Sequence, residues 1–204
     1  MKFLYGTTGR DILTATAADS YTIYGYNGAD DLYGGDFADA IYGGDGSDLI
    51  YGKGGSDTIK GAGGQDWVYA GAGDDFVFGG LGDDRLYGGD GIDHLSGGDG
   101  WDNLYGGSGA DVLEGGQSDD LLAGGKGKDT FVFHSGDDID LIQDFTPTLD
   151  TISFDLTNIH DYAHLKPYIY RDGPDTIIDL PGNDTLILRN VLPAQLHAGD
   201  FSFI

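Results

Sequence analysis

A nine-residue repeat occupies more than half of this chain, and it constrains the possible folds more than any other feature. From Gly25 to Val132 twelve blocks follow one another without insertion or deletion, with the consensus Gly-Gly-x-Gly-x-Asp-x-apolar-x. The sixth position is Asp and the eighth is apolar in all twelve blocks. A period held at two positions over so many blocks indicates a stacked repeat architecture.

The composition within each block predicts where the chain turns and where it is extended. The first six residues are rich in Gly and Asp, which is typical of a turn, and the last three predict a very short strand. Two successive blocks supply two turns and two strands, which can close one flat coil, and stacked coils bury the eighth-position side chains between two sheets. We expect an all-β fold, a right-handed parallel β-roll of about seven coils, roughly 34 Å long at ~4.8 Å per coil.

The N-terminal blocks depart from the repeat. Residues 6–14 keep Asp11 at the sixth position, whereas residues 16–24 carry Tyr21 there, and Ala15 is inserted between the two blocks. Terminal repeats are expected to be atypical. Residues 1–24 are therefore predicted to form a degenerate N-terminal cap.

The pattern breaks after Val132. Asp140 and Ile142 mark one last, stretched repeat, so the roll is predicted to span residues 25–145. Residues 146–204 are predicted to be a β-rich cap over the open end, since an uncovered sheet edge invites aggregation. Within that cap we expect strands at 149–154, 168–170, 176–180 and 185–188, a helix at 158–165, and a secretion signal at the hydrophobic end, 200–204.

The charge points to cations as partners. The chain has 35 acidic and 10 basic residues, a net charge of -25, and all the acids except Glu114 are Asp. Phosphate binding needs a basic face, so nucleic acid is an unfavourable partner. The chain has no cysteine, no apolar run long enough to span a membrane and no apolar stretch typical of a signal peptide near its N-terminus. A small protein without disulfides needs another stabilising element, and metal is the one we expect.

The repeated Asp residues form two ladders when they are placed on the coil, because residues two blocks apart share an edge. Ladder one is Asp30, Asp48, Asp66, Asp84, Asp102 and Asp120, and ladder two is Asp39, Asp57, Asp75, Asp93, Asp111 and Asp129. Carboxylates about 5 Å apart repel by several kcal/mol per pair at an effective dielectric near 20. A divalent cation between coils turns this repulsion between carboxylates into attraction. Calcium suits carboxylates and backbone carbonyls better than magnesium does.

This array resembles the repeats-in-toxin family of calcium-binding nonapeptide repeats. The resemblance implies that each calcium takes carbonyls of positions two and four and the Asp from one turn. It implies carbonyls of positions one and three and the Asp from the turn two blocks further on. About ten ions are then expected, five per edge, bringing +20 against the -25 of the chain.

The ligand residues that the resemblance implies are the twelve ladder Asp residues together with carbonyls of the turns. A first site would use Tyr26, Gly28, Asp30, Gly43, Asp45 and Asp48; a middle site Gly80, Gly82, Asp84, Gly97, Asp99 and Asp102; and one on the other edge Gly71, Gly73, Asp75, Gly88, Asp90 and Asp93. Further turn positions assigned to such sites are Gly44, Gly46, Gly89, Gly91, Gly98, Gly100, Gly106, Gly107, Gly109, Gly125 and Gly127. Phe37 and Ser118 replace the fourth-position Gly, which puts the sites that use them in doubt.

A row of tyrosines forms a second pattern. Tyr33, Tyr51, Tyr69, Tyr87 and Tyr105 take the ninth position on one sheet, and the other sheet is predicted to have no such ladder. Stacked Tyr side chains stabilise a parallel sheet. An aromatic strip of this kind is also typical of a binding surface for sugar rings.

Other chemistry has little support in the sequence. His160 and His164 have the spacing of a helical zinc site, but Asp161 stands where the protease motif has Glu, and a plain surface helix is the alternative. No nucleophile elbow, cysteine nucleophile or phosphate loop is present, so we expect no enzymatic activity from these residues.

The function that the resemblance implies is a secreted calcium-binding roll. Proteins of this kind leave the cell through type I secretion machinery and fold on extracellular calcium. The alternatives are an adhesion or extracellular polysaccharide-binding module, and the C-terminal module of an extracellular protease, lipase or epimerase.

Overall fold

The structure, a computed structural model, describes residues 2–16 and 18–204 and consists mainly of two parallel β-sheets. Sheet A has ten strands, in spatial order Lys2–Tyr5, Tyr21–Asn27, Ala40–Asp45, Thr58–Gly63, Phe76–Leu81, His94–Asp99, Val112–Gln117, Thr130–His134, Thr151–Asp155 and Phe201–Phe203. Sheet B has eleven, in spatial order Ile12–Thr14, Asp31–Tyr33, Leu49–Gly54, Trp67–Ala72, Arg85–Asp90, Asn103–Ser108, Leu121–Lys126, Ile139–Ile142, Thr185–Leu188, Asp175–Asp179 and Ile169–Asp172.

The chain alternates between the sheets, so each coil contributes one strand to each. Neighbouring strands pair in parallel at a spacing of two blocks, as Leu86 does with Val68 and Leu104. The expected all-β solenoid of stacked coils is confirmed. It has about eight turns rather than about seven, because strands outside the predicted repeats extend both sheets.

The core lies between the sheets and is formed by the eighth-position side chains. They are almost completely buried: Leu32, Ile41, Ile50, Ile59, Val68, Val77, Leu86, Leu95, Leu104, Leu113, Leu122 and Phe131. Burying an aliphatic or aromatic side chain of this size contributes about 1.5–3 kcal/mol. The apolar period read from the sequence is therefore the period of the core.

The strands are longer than the very short ones predicted. Most strands of the array are six residues long, twice the predicted length. They are longer because pairing resumes after the ninth position, at the second and third positions of the next block. Tyr87 pairs with Tyr105, and Gly89 with Gly107, while Gly88 between them is skipped. Turn residues also bond from coil to coil, as the Gly91 amide does to the Ser108 carbonyl at 2.8 Å. The prediction treated these residues as turn alone and missed this second ladder of hydrogen bonds.

Both sheets continue beyond residue 145. Leu122 pairs with Ile142 and Phe131 with Ile152, and in both pairs the partner lies further along the chain than two blocks, so these repeats are stretched. Beyond them, the strands Ile169–Asp172, Asp175–Asp179 and Thr185–Leu188 form an antiparallel hairpin pair at the end of sheet B.

The remaining elements are short. The helix is confined to Tyr162–Leu165, because Asp161 accepts the His164 amide and caps it there, which makes it shorter than predicted. Three 3-10 turns follow at Lys166–Tyr168, Pro193–Gln195 and Ala198–Asp200. None of the helices in the described ranges is long and apolar enough to cross a membrane.

Candidate metal centre

The sixth-position Asp residues form two buried ladders, one at each edge where the chain passes between the sheets. All twelve are at most 4 % exposed. One carboxylate oxygen of each accepts the backbone amide of the residue at the same position in the preceding coil: the Asp66 amide donates to Asp84 Oδ1 at 2.8 Å, and the Asp84 amide to Asp102 Oδ1 at 2.7 Å. Each carboxylate is thereby held in one orientation by the backbone.

The second oxygen of most of these carboxylates has no partner. Within the described residues, buried Oδ2 atoms without a hydrogen bond belong to Asp30, Asp48, Asp57, Asp66, Asp75, Asp84, Asp93, Asp102, Asp111, Asp120 and Asp140. An unsatisfied buried charge costs several kcal/mol unless a counter-charge is present. A row of such atoms therefore favours either cations between the coils or protonated carboxyl groups.

Backbone carbonyls face the same spaces between coils. A methyl group at Gly79 would collide with Asp84 Oδ2 and lie 2.7 Å from the Gly97 carbonyl oxygen of the next coil. Oxygens from two coils therefore converge around the first position, which is Gly in every block except the one that begins at Ala70. The same cradle around a first-position glycine recurs at Gly43, Gly88, Gly97 and Gly106, against Asp48, Asp93, Asp102 and Asp111.

Second- and fourth-position carbonyls point in the opposite direction, toward the following coil. The Gly80 and Gly82 carbonyl oxygens lie where side chains at Gly98 and Gly100 would be. This orientation requires a positive φ, which glycine adopts without steric cost. The glycines assigned to calcium sites at these positions all have it: Gly28, Gly44, Gly46, Gly71, Gly73, Gly80, Gly82, Gly89, Gly91, Gly98, Gly100, Gly107, Gly109, Gly125 and Gly127.

The third-position carbonyls are already hydrogen-bonded. The Asp45, Asp90 and Asp99 carbonyls accept the fourth-position amides of the preceding coil at 2.7–2.8 Å. A carbonyl oxygen has two lone pairs, so each retains one for a cation. The carboxylates of these three residues are exposed and lie outside the buried ladders.

Burial sets the electrostatics of the ladders. Desolvation, offset in part by the amide of the preceding Asp, raises the pKa of Asp84 from 3.8 to about 8 and that of Asp57 to about 8. The same cause raises the pKa of Asp66 to about 7 and that of Asp75 to about 6. In the absence of metal Asp84 and Asp57 therefore resist ionisation near neutral pH.

The donor set fits calcium. Each space between coils offers two carboxylates and backbone carbonyls, and calcium takes six to eight oxygens in flexible geometry. Within the described ranges no group of three or more His, Cys, Asp or Glu side chains could hold a metal. Carbonyls must complete any site in the ladders, and His160 and His164 have no third side-chain ligand.

Asp140 is a candidate ligand that the sequence assignment omitted. Its Oδ1 accepts the Asp120 amide at 2.9 Å, its Oδ2 has no partner, and burial followed by the charge of Asp120 raises its pKa to about 9. The sequence pattern placed Asp140 in a stretched repeat but did not assign it to a ladder, because its distance from Asp120 along the chain exceeds two blocks. Asp150 continues ladder two by accepting the Asp129 amide at 3.0 Å, but its second oxygen accepts the Thr146 amide.

The tyrosine row on sheet B is a stack. Successive rings from Tyr33 to Tyr105 lie 4.8–5.4 Å apart and within 9° of parallel. Their faces are turned toward each other, and all five residues are half-buried. Beside the row, Trp67 is 43 % exposed and the Arg85 guanidinium lies 4.9 Å from its ring.

Sheet A has its own, shorter stack, so the prediction that it has no ladder was wrong. Tyr5, Tyr24 and Tyr42 stack with centroids 5.6 and 5.0 Å apart. Tyr5 precedes the first recognisable block, and its ninth-position register was therefore not seen. Phe76 and His94 form a separate stacked pair at 4.9 Å.

The fold and site together define a metal-binding β-solenoid, in which stacked coils align carboxylates and carbonyls for cations. The profile of the RTX calcium-binding nonapeptide repeat matches residues 24–59, 51–86, 78–113, 105–140 and 171–188. These matches cover more than half of the chain, and the chain belongs to this family. The repeats are a non-catalytic calcium-binding module.

A solved structure resembles the fold. The extracellular lipase LipA of Serratia marcescens is 17 % identical and aligns over 92 % of this chain and 40 % of its own, with a TM-score of 0.52. The AlgE6R3 subunit of the Azotobacter vinelandii mannuronan C5-epimerase is 27 % identical over 64 % of this chain and 78 % of its own, with a TM-score of 0.30. The chain spans less than half the length of the lipase. No curated protein matches the chain.

Proposed function

We propose that this chain is a calcium-dependent folding module of a secreted protein. The observation that carries the proposal is the pair of ladders, in which eleven buried carboxylate oxygens between Asp30 and Asp140 lack partners within the described residues. Without calcium, the folded roll has to bury unpaired charges or protonate them. With calcium, the same oxygens become ligands, and binding energy becomes folding energy.

The difference in calcium between compartments makes this a switch. Extracellular calcium modules bind at roughly 0.1–1 mM, far above cytosolic levels. An unfolded chain suits passage through type I secretion machinery, and calcium outside the cell then folds it. The expected loading is about ten ions.

Circular dichroism in chelator and in millimolar calcium tests the proposal. We expect a largely disordered metal-free chain and a cooperative gain of β structure on adding calcium, with magnesium at the same concentration as the control for charge alone. A full β signal in chelator would refute the proposal.

Binding of polysaccharide is a second candidate, favoured by the half-buried row of Tyr rings on sheet B beside the exposed Trp67. Glycan arrays would compare the calcium-loaded chain with Tyr69→Ala and Tyr87→Ala. Tyr24→Ala, in the stack on sheet A, is the matched control. Unchanged binding by the sheet B variants would reject a role for the row.

The chain also suits the role of a C-terminal module in an extracellular enzyme such as a protease, lipase or epimerase. In that role the roll would stabilise and export a catalytic domain located elsewhere. Fusing the chain to an unrelated reporter and measuring calcium-dependent export by a type I system tests this role. Export that is independent of the chain would reject it.

A further inference from the structure

One turn of the array, residues 34–39, departs from the conformation of all the others. In eleven of the twelve blocks the second- and fourth-position residues have positive φ, even where they are not glycine, as at Tyr26, Lys53, Ala62 and Ser118. Gly35 and Phe37 in this turn do not. The backbone here therefore cannot present its carbonyls to the next coil as the other turns do.

The fourth-position carbonyl is turned away. The carbonyl oxygens of Gly28 and Gly46 lie where side chains at Gly46 and Gly64 would be, whereas at Gly55 the nearest atoms are the Ala38 nitrogen and the Phe37 carbonyl carbon. The space between this turn and the next coil has thus lost a carbonyl that faces it in regular coils.

The carboxylate of this turn is already satisfied. Asp39 Oδ1 accepts the Tyr21 amide at 2.6 Å, and Asp39 Oδ2 accepts the Gly35 amide at 2.7 Å. Ten of the other ladder residues keep Oδ2 free. The Gly35 amide thus occupies the one carboxylate oxygen that the regular coils leave for a cation.

A lysine supplies the positive charge. Lys53 Nζ donates to the Gly34 carbonyl at 2.6 Å and lies 5.9 Å from the centre of the Tyr33 ring. Gly34 is a first-position residue, and the proposed calcium sites use such carbonyls as ligands toward the preceding coil. Lys53 itself has φ 78°, a conformation that disfavours lysine, so its interaction has to offset that strain.

We propose that turn 34–39 is a calcium-free turn, in which the Gly35 amide and the Lys53 ammonium occupy oxygens that regular turns offer to calcium. Ladder two then begins to bind calcium at Asp57, one coil later than its Asp pattern indicates. Ladder one extends to Asp140, so the two edges carry different numbers of ions. This inference rests on the proposed calcium binding.

Counting bound calcium in two variants of the same ladder tests the inference. Equilibrium dialysis at saturating calcium would compare Asp39→Asn with Asp75→Asn in the full chain. We expect Asp39→Asn to bind as many ions as wild type and Asp75→Asn to bind at least one fewer. An equal loss in both variants would overturn the inference, whereas a wild type without calcium would overturn the proposed function itself.

A restored turn provides a second test that does not depend on the stability of Asp39→Asn. The double variant Phe37→Gly, Lys53→Gly recreates the consensus glycines, while the Gly52 carbonyl already lies near Asp39 Oδ2 across Gly34. We expect it to bind one more ion than wild type. An unchanged count would show that these residues do not exclude the ion, and it would overturn the role of Lys53.

Discussion

Replacing Asp84 by Asn should change stability in opposite directions with and without calcium. Asp84 lies at the middle of ladder one, is fully buried, and uses only Oδ1, which accepts the Asp66 amide. Asn keeps that acceptor and the shape of the side chain. It removes the charge that the proposed sites on both sides of Asp84 share.

In the absence of metal, the change in the free energy of unfolding follows from the pKa of Asp84, which burial raises from 3.8 to about 8. At one pKa unit per ~1.4 kcal/mol, holding Asp84 in the folded metal-free roll costs roughly 5 kcal/mol at pH 8. A buried Asn amide without a partner costs about 1–3 kcal/mol. The substitution should therefore stabilise the metal-free fold by about 2–4 kcal/mol at pH 8.

The assay is circular dichroism at pH 8 in two titrations. In chelator, trimethylamine oxide, which favours burial, would bring the chain into its folding transition, and Asp84→Asn should fold at a lower concentration than wild type. In calcium, two sites lose one of their carboxylates, so the midpoint of calcium-induced folding should rise by tenfold or more.

Asp83→Asn is the matched control, since Asp83 is the exposed neighbour in the same turn. It removes the same charge without affecting the buried ladder. The reasoning is refuted if Asp84→Asn behaves like Asp83→Asn in calcium, or if it weakens folding in chelator.

Three further predictions concern pH, the glycine cradle and the core. The folded metal-free roll holds protons that the unfolded chain releases above about pH 4, so the stability of the roll falls as pH rises through 6–8. Circular dichroism in chelator should therefore show more β structure at pH 5 than at pH 8. Gly79→Ala would drive its methyl group into Asp84 Oδ2, so equilibrium dialysis should show fewer bound ions. Gly63→Ala is the control and should bind the wild-type number, because its methyl group would lie 3.7 Å from the nearest atom, Asp45 Oδ1. Leu86→Ala should lower the free energy of unfolding in calcium by about 2–5 kcal/mol in urea titrations, and a smaller loss would contradict its place in the core.

The sequence by itself determined the coil and its chemistry, because the nine-residue period leaves little freedom. A sixth-position Asp and an eighth-position apolar residue recur without slippage from Asp30 to Phe131, so the sheets, the core and both carboxylate ladders follow from counting. The family's preference for calcium follows from the same residues.

Only the tertiary structure decided where the pattern is interrupted. Asp140 joins ladder one although it lies more than two blocks beyond Asp120, since hydrogen bonding between coils depends on spatial register and not on sequence distance. Asp39 keeps the consensus residue yet uses both oxygens internally, because Gly35 and Phe37 adopt another backbone conformation. Which carboxylate oxygens remain without a partner depends on contacts with the neighbouring coils, and a nine-residue pattern cannot record them.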